Sequence, residues 1–162
     1  MKEQEILKII EKFYKKLPKF PDGRIDYSNS DIAPVITVFV KYKDKIILLK
    51  RSDKVGNYCG KWSTVTGFLD ELKPLHEKVF EELEEELGVE KSIISSILMG
   101  KSFKLIDKNI NKTWIIHPIL VELQEMPKIK LDYEHIEFKW IKPEELNNFD
   151  TVPKLEKSLK SI

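Results

Sequence analysis

Residues 67–89 read GFLDELKPLHEKVFEELEEELGV, and the second half of this stretch predicts the helix around which the fold is organised. Apolar residues recur there at spacings of three and four, which is the pattern of an amphipathic helix that covers a core. Pro74 stands at the first turn and Gly88 follows the last turn, as is typical of helix ends. We therefore predict a helix from Pro74 to Leu87, with an apolar stripe formed by Leu75, Val79, Leu83 and Leu87.

The acidic residues of this helix fall into two groups around the apolar stripe. Glu82, Glu85 and Glu86 stand at i, i+3 and i+4, so their side chains gather along one arc beside the stripe. They lie near the C-terminal end, where the helix dipole and their mutual repulsion both disfavour carboxylates. A bound divalent cation would offset this cost, although an acidic run is more commonly a solvated surface. The remaining acidic side chains point away from the stripe: Glu77, Glu81 and Glu84.

The order of these residues resembles the Nudix box, G-x5-E-x7-R-E-U-x-E-E-x-G-U, in which U is a bulky aliphatic residue. The positions that match are Gly67, Glu82, Leu83, Glu85, Glu86, Gly88 and Val89. Two positions depart from the pattern, because Lys73 replaces the first glutamate and Glu81 replaces the arginine. The resemblance covers about residues 34–147 and implies an α/β fold, a Nudix-type α/β/α sandwich with a mixed β-sheet.

The two departures exchange the signs of two charges. We hypothesise that Lys73 and Glu81 pair in the fold with reversed polarity. In the family the arginine is thought to orient the neighbouring glutamate, so its loss bears on the position of Glu82. Lys78, four residues before Glu82, also stands where a small residue is usual. We expect Lys78 to compete for the Glu82 carboxylate when no metal is bound.

The resemblance also implies which residues hold metal and carry out the reaction. Glu82, Glu85 and Glu86, with the backbone carbonyl of Gly67, would bind Mg²⁺, for which Mn²⁺ is a possible substitute. The predicted catalytic residues are Glu82, Glu85 and Glu134. Glu134 lies six residues before a tryptophan, as does a metal-binding or basic glutamate of the family.

Three further assignments are less constrained by the pattern. Glu137 or a glutamate of the box is the alternative general base to Glu134. Arg51 follows an apolar strand and resembles a basic residue that touches substrate phosphates in relatives, although a surface role is equally consistent. Trp62 precedes the box as in many members and is a candidate for binding substrate, although such aromatic residues are commonly part of a core.

Segments on both sides of the helix predict the rest of the sheet. Pro34–Val40 and Lys45–Leu49 predict a buried hairpin, and Trp62–Thr66 predicts a strand that Gly67 ends. We expect Pro118 to place the strand Thr113–Leu123 at an edge or a bulge. The other predicted elements are strands in Ile93–Leu105 and Glu137–Ile141, and short helices in Pro143–Leu146 and Val152–Ser161.

A separate amphipathic helix is predicted at residues 3–17, ahead of the segment that resembles the family. We expect one Nudix-type domain over residues 1–162, with this helix and a loop in 1–30, the core in 31–147 and a C-terminal helix in 148–162. Because the apolar stripe of the first helix needs covering, a homodimer is plausible.

Composition excludes several classes of function. The 28 basic and 27 acidic residues leave a net charge of +1, so no global field attracts nucleic acid or an anionic membrane. Cys59 has no partner for an internal disulfide, and no zinc-ligand spacing occurs. The mixed charges of the N-terminus match neither a signal peptide nor a membrane span, so a cytoplasmic location is expected.

We therefore predict a magnesium-dependent hydrolase that cleaves a phosphoanhydride (pyrophosphate) bond in a nucleoside diphosphate derivative or a nucleoside triphosphate. A second hypothesis is a catalytically impaired Nudix-fold module that binds a nucleotide or regulates. A third is an unrelated α/β domain whose acidic helix is merely solvated. The sequence leaves open the substrate, the number of metal ions, the general base, the oligomeric state and the effect of Lys73 and Glu81 on activity.

Overall fold

The computed structural model describes residues 3–162 and consists of a mixed eight-stranded sheet between helices. The helices are α1 (Glu3–Lys16), α2 (Leu75–Leu87) and α3 (Leu155–Lys160), and short 3-10 helices occupy Lys91–Ile93 and Pro143–Asn148. The strands are β1 (Ile32–Tyr42), β2 (Lys45–Arg51), β3 (Trp62–Ser63), β4 (Val65–Phe68), β5 (Ile94–Met99), β6 (Phe103–Asp107), β7 (Lys112–Leu123) and β8 (His135–Ile141).

The sheet is centred on β1 and β7, which pair in parallel, whereas all the other pairings are antiparallel. The main strand order is β3-β2-β1-β7-β5, with β4 paired to β1, β6 to β7, and β8 to β2. The predicted hairpin of β1 and β2 is confirmed, with the turn at Lys43–Asp44. The fold is the predicted sandwich, because helices cover both faces of the mixed sheet.

The segment around Gly67 differs from the prediction. Two short strands, β3 and β4, replace the single strand expected over Trp62–Thr66. Gly67 does not end a strand but lies within β4, where it pairs with Ile36 of β1. The glycine at this position leaves room for the Glu82 side chain of α2 rather than forming a turn.

The position of Pro118 was also predicted wrongly, because β7 is a central strand. On one side Pro118 stands opposite Thr37 of β1, in a regular parallel register. On the other side, β5 ends at Met99 and β6 begins at Phe103, so the neighbouring strand is interrupted. Gly100 donates its backbone N–H to the Pro118 carbonyl at 2.8 Å across this gap. Because the neighbouring strand is interrupted there, no hydrogen bond of the sheet is lost through the missing N–H of Pro118.

The larger core lies between the sheet and the helices α1 and α2, and a smaller core on the opposite face includes Leu155 of α3. The predicted N-terminal helix is present, and its Ile6 and Ile10 are both buried in the larger core. The apolar stripe of α1 is thus covered by its own chain, which removes the reason given above for a homodimer. Among the helices of residues 3–162, none has the length and apolar character that crossing a membrane requires.

Candidate active site on helix α2

The apolar stripe of α2 determines which acidic side chains face the sheet. Leu75, Val79, Leu83 and Leu87 are all buried, as the sequence predicts. Gly88 ends the helix with φ 69°, a left-handed conformation that glycine adopts without a side-chain clash. Its backbone N–H donates to the Glu84 carbonyl at 3.0 Å. With the helix fixed in this orientation, Glu82 approaches Gly67 of β4 and Glu86 approaches His135 of β8.

Three carboxylates, those of Glu82, Glu86 and Glu134, form a buried carboxylate cluster. Glu86 is only 1% exposed, and its Oε2 has no hydrogen-bond partner. Burial raises the pKa of Glu86 well above its usual value, and the neighbouring carboxylates of Glu82 and Glu134 raise it further. The cluster therefore gathers three acidic groups around Glu86, the one of them from which water is excluded.

Glu85, the third residue of the predicted metal-binding trio, is exposed at the rim of this cluster. Partial burial raises the pKa of Glu85, and the negative charges of Glu82 and Glu81 act in the same direction. The trio thus occupies three different environments. Glu86 is buried, Glu82 is largely buried, and Glu85 remains open to solvent.

Glu134 reaches the cluster from the loop before β8, and contacts with its backbone hold it there. The Glu134 carbonyl accepts a hydrogen bond from the Ser52 backbone N–H at 2.8 Å, and its own N–H donates to Asp132 Oδ1 at 3.1 Å. The Ser52 hydroxyl also donates to the Tyr133 carbonyl at 2.7 Å. No sequence motif points to Ser52, whose only signal is its place just after the β2 strand. Glu137, the alternative base, is exposed on β8.

Few positive charges face the buried carboxylate cluster. His135 is buried with its Nδ1 3.8 Å from Glu86 Oε1, but burial and the charge of Arg51 lower the pKa of His135 to about 4. His135 is therefore neutral at pH 7. Burial lowers the pKa of Arg51, against the pull of Glu134 and Glu86, but the guanidinium remains charged. Its Nε donates to the Asn57 carbonyl at 3.0 Å.

Gly67 touches the same cluster through its backbone. A Cβ at this position would lie 2.9 Å from Cδ of Glu82 and 3.0 Å from its Oε1. A side chain here would displace Glu82, so glycine is needed for the close approach of β4 to α2. The structure thus places Gly67 beside the Glu82 side chain.

A second group of charges lies further out, and we call it the paired cluster: Arg24, Glu71, Lys73 and Glu81. Lys73 forms an ion pair with Glu81, which confirms the hypothesis of exchanged signs, and a second with Glu71 at 3.4 Å. Arg24 adds a further cation, with its Nη2 3.4 Å from Glu81 Oε1. Pairing outweighs burial, so the pKa of Glu81 is lowered. No local sequence pattern connected Arg24 to this helix.

Lys78 stands between the two clusters, and its ammonium is buried. Its side chain is 4% exposed, and its Nζ lies 3.1 Å from both Asp70 Oδ1 and Glu82 Oε1. Burial alone would lower the pKa of Lys78, but the charges of Glu82 and Asp70 prevail and raise it. The expected contact with Glu82 is therefore present, and Asp70 is an additional partner that was not predicted.

The buried carboxylate cluster fits a hard divalent cation chemically. Glu86 Oε2 is a buried carboxylate oxygen without a partner, and such an oxygen is the type of ligand that Mg²⁺ prefers. Within residues 3–162, however, no three acidic, histidine or cysteine side chains are arranged closely enough to hold an ion as they stand. Of the predicted ligands, Glu82 contacts Lys78 at 3.1 Å and Glu85 is exposed.

A cavity of about 620 Å³ opens beside the cluster, and Gly67, Arg51 and Glu134 contribute to its wall. Its aromatic lining includes Tyr27, Phe68 and Trp114. Tyr27 and Phe68 stack with ring centroids 5.6 Å apart.

Trp62, the predicted substrate-binding aromatic residue, does not line this cavity. Its ring packs edge-on against Phe149 at 5.4 Å, and the Lys139 Nζ lies 5.4 Å from its centroid. Both neighbours belong to the C-terminal part of the chain. Trp62 pairs with Lys50 in the sheet, next to Arg51, but its ring lies outside the cavity that Arg51 and Glu134 line.

Comparison with known proteins identifies the architecture around this site. The sequence model of the NUDIX domain matches residues 31–162. A comparison with curated proteins finds no significant match.

Solved structures with a similar fold have low sequence identity to this chain. The MutT protein from Methanosarcina mazei Go1 is 24% identical, with a TM-score of 0.62 over 80% of this chain and 91% of that one. A MutT NUDIX hydrolase from Burkholderia pseudomallei is 19% identical, with a TM-score of 0.66 over 81% and 98%. A C. elegans Ap4A hydrolase is 16% identical, with a TM-score of 0.63 over 80% and 93%.

Proposed function

Because the chain belongs to the NUDIX domain family and is a hydrolase, we propose that it uses magnesium to cleave a phosphoanhydride bond of a nucleotide. The substrate is a nucleoside diphosphate derivative or a nucleoside triphosphate. The observation that carries this proposal is the Glu86 carboxylate, which is 1% exposed and has an unpartnered oxygen beside Glu82 and Glu134. A buried charge without a partner is costly, so a cation that completes it is strongly favoured.

We assign the binding of Mg²⁺ to Glu82, Glu85 and Glu86, with the carbonyl of Gly67. Glu86 offers its free Oε2, and Glu82 retains the oxygen that Lys78 does not hold. Glu85 is at the rim, where an ion that also contacts substrate phosphates would be reached from solvent. When bound, Mg²⁺ neutralises phosphate charge and lowers the pKa of a coordinated water.

We assign the general base to Glu134, which lines the cavity, rather than to Glu137, which is exposed on β8. Burial raises the pKa of Glu134, which brings it closer to neutral pH, where a general base is most effective. Ser52 fixes the backbone of Glu134, so that its carboxylate is positioned beside the metal ligands. Glu82 and Glu85 act in the reaction by holding the metal.

The cavity supports a nucleotide as the substrate class. Its volume falls within the range of about 300–1,000 Å³ that is usual for small-molecule sites. Arg51 stands at the end near the carboxylates and can take up phosphate charge. Phe68 is 43% exposed within the cavity wall and offers a free aromatic surface to a base, with Tyr27 and Trp114 packed around it.

The proposal is tested by measuring hydrolysis of a panel that contains ADP-ribose, dinucleoside polyphosphates, nucleotide sugars and nucleoside triphosphates. We expect turnover of at least one class with Mg²⁺ and none with EDTA. Glu85→Gln lowers the rate by about a hundredfold or more, because the metal loses a charged ligand. Glu84→Gln, an exposed glutamate on the neighbouring position, is the matched control and keeps the wild-type rate. Nucleotide binding without turnover by the wild type would contradict the proposal and favour a binding module.

A further inference from the structure

Lys78 of α2 has a buried ammonium that contacts carboxylates both on the helix and on the loop before it. Its side chain is 4% exposed, and Nζ lies 3.1 Å from Asp70 on the loop before α2 and 3.1 Å from Glu82 on the helix itself. A third carboxylate, that of Glu71, lies at 3.8 Å. The ammonium thus occupies a small cage of oxygens, as a bound cation would.

The geometry of this cage restricts what Glu82 can do. Lys78 takes Glu82 Oε1, the same oxygen that would lie 3.0 Å from a Cβ at Gly67. Only the second carboxylate oxygen of Glu82 is therefore left to bind a metal together with Glu86 and Glu134. Lys78 also holds Oδ1 of Asp70, so one oxygen of each carboxylate is occupied by the same ammonium.

We propose that the Lys78 ammonium is a built-in cation that takes the place of one divalent ion between Asp70 and Glu82. Metal binding is then confined to the side of Glu82 that faces Glu86 and Glu134. Lys78 is a positioning residue, since it acts by fixing Glu82 and does not touch the substrate. This inference rests on the proposed magnesium dependence and adds to it that no ion binds between Asp70 and Glu82.

Removing the ammonium while keeping the volume of the side chain is the direct way to test this role. In Lys78→Met, Asp70 and Glu82 lose their shared partner and face each other across a buried gap. A divalent ion satisfies two such oxygens better than water does. Titration with Mn²⁺ followed by electron paramagnetic resonance counts bound ions per chain without any need for turnover. We expect one more Mn²⁺ per chain in Lys78→Met than in the wild type.

Lys73→Met is the matched control, because Lys73 pairs with Glu71 and Glu81 but not with Glu82. Its Mn²⁺ count should equal that of the wild type. An unchanged count in a folded Lys78→Met would overturn the proposal. An extra ion in both variants would also overturn it, because the effect would then be a general consequence of lost positive charge.

A measurement on the wild type decides the question if Lys78→Met does not fold. In crystals soaked with Mn²⁺, anomalous scattering locates each ion. We expect Lys78 to remain bonded to Asp70 and Glu82, with no ion between them. An ion in that position with Lys78 displaced would overturn the inference while leaving the proposed function intact. The absence of bound Mn²⁺ in the wild type and both variants would contradict the proposed function itself.

Discussion

Glu81 and Glu86 stand on neighbouring turns of α2, yet the electrostatic surroundings of their carboxylates are opposite. In the paired cluster, Glu81 contacts Lys73 and Arg24, and its pKa is lowered. In the buried carboxylate cluster, Glu86 has two acidic neighbours and a neutral histidine, and its pKa is raised. The same residue type on the same helix is therefore stabilising in one place and costly in the other.

The difference indicates which part of the helix serves the fold and which part serves the chemistry. Glu81 replaces the arginine of the family, and Arg24 and Lys73 balance its negative charge. At Glu86 the cost of an unpaired buried charge remains within the chain. A local rule broken without internal compensation is expected at a functional site, where a ligand supplies what is missing.

The largest effect we predict is the loss of turnover in Glu86→Gln. The amide keeps the size of the side chain but removes the charge that the metal requires. We expect kcat/KM with Mg²⁺ to fall on the order of a thousandfold, which corresponds to about 4 kcal/mol of transition-state stabilisation. Steady-state hydrolysis of the best substrate from the panel measures it.

Glu81→Gln is the control on the same helix, since Glu81 holds cations of the chain rather than the metal. We expect its kcat/KM to stay within about tenfold of the wild type. Equal losses in the two variants would break the comparison, because the paired cluster would then be part of the reaction.

The second prediction concerns stability without metal, for which Glu86→Gln has the opposite sign. Removing an unpaired buried charge should stabilise the metal-free chain by about 1–2 kcal/mol at pH 8. Because the folded-state pKa of Glu86 is raised, the wild type loses stability as the pH rises through that pKa. Below pH 4.5 the carboxyl is neutral in both the folded and the unfolded chain, so the difference should vanish. Urea unfolding in EDTA from pH 4 to pH 8 measures it.

Glu81→Gln should behave in the reverse manner in the same experiment. The folded-state pKa of Glu81 is lowered, so its contribution to stability is present above pH 4.5 and is lost as the pH falls through the folded value. We expect this variant to be less stable than the wild type at pH 8. If Glu86→Gln is also less stable at pH 8, the carboxylate of Glu86 is compensated within the chain and the comparison fails.

The sequence predicted those features that depend on residues close together in the chain. Gly88 ends α2 because the residue just after the last turn adopts a left-handed conformation, which favours glycine. Lys73 and Glu81 form their ion pair within the 23 residues of the box itself. The position of α2 followed from the apolar spacing and the residues at its two ends, and the mixed sheet followed from the resemblance. These features require no knowledge of distant contacts.

Features that depend on distant contacts were not predictable from the sequence. Pro118 is tolerated in a central strand only because its neighbour is interrupted, and the interruption lies in a different segment. Ser52 positions Glu134 through the backbone, which leaves no sequence pattern. Trp62 was assigned to the substrate on resemblance, but its contact with Phe149 could be seen only in three dimensions.

The smallest effect we predict tests whether the paired cluster serves stability alone. Arg24 comes from the segment before residue 31, outside the region that the NUDIX model matches, and reaches Glu71 and Glu81 at 3.6 and 3.4 Å. Its side chain is 40% exposed, so solvent screening limits its contribution. We expect Arg24→Gln to lower the free energy of unfolding by about 0.5 kcal/mol in low salt, and by less in 1 M NaCl.

The rate of hydrolysis should be unchanged in Arg24→Gln, because Lys73 still holds Glu81. Lys61→Gln is a matched control, since the Lys61 side chain is 41% exposed but forms its ion pair with Asp150 alone and with no carboxylate of α2. We expect it to lose less stability than Arg24→Gln, because an isolated surface pair contributes less than a cation shared by several carboxylates. A fall in kcat/KM in Arg24→Gln alone would show that Arg24 has taken over an orienting role of the missing arginine, acting on the reaction through Glu81 and the helix turn that carries Glu82.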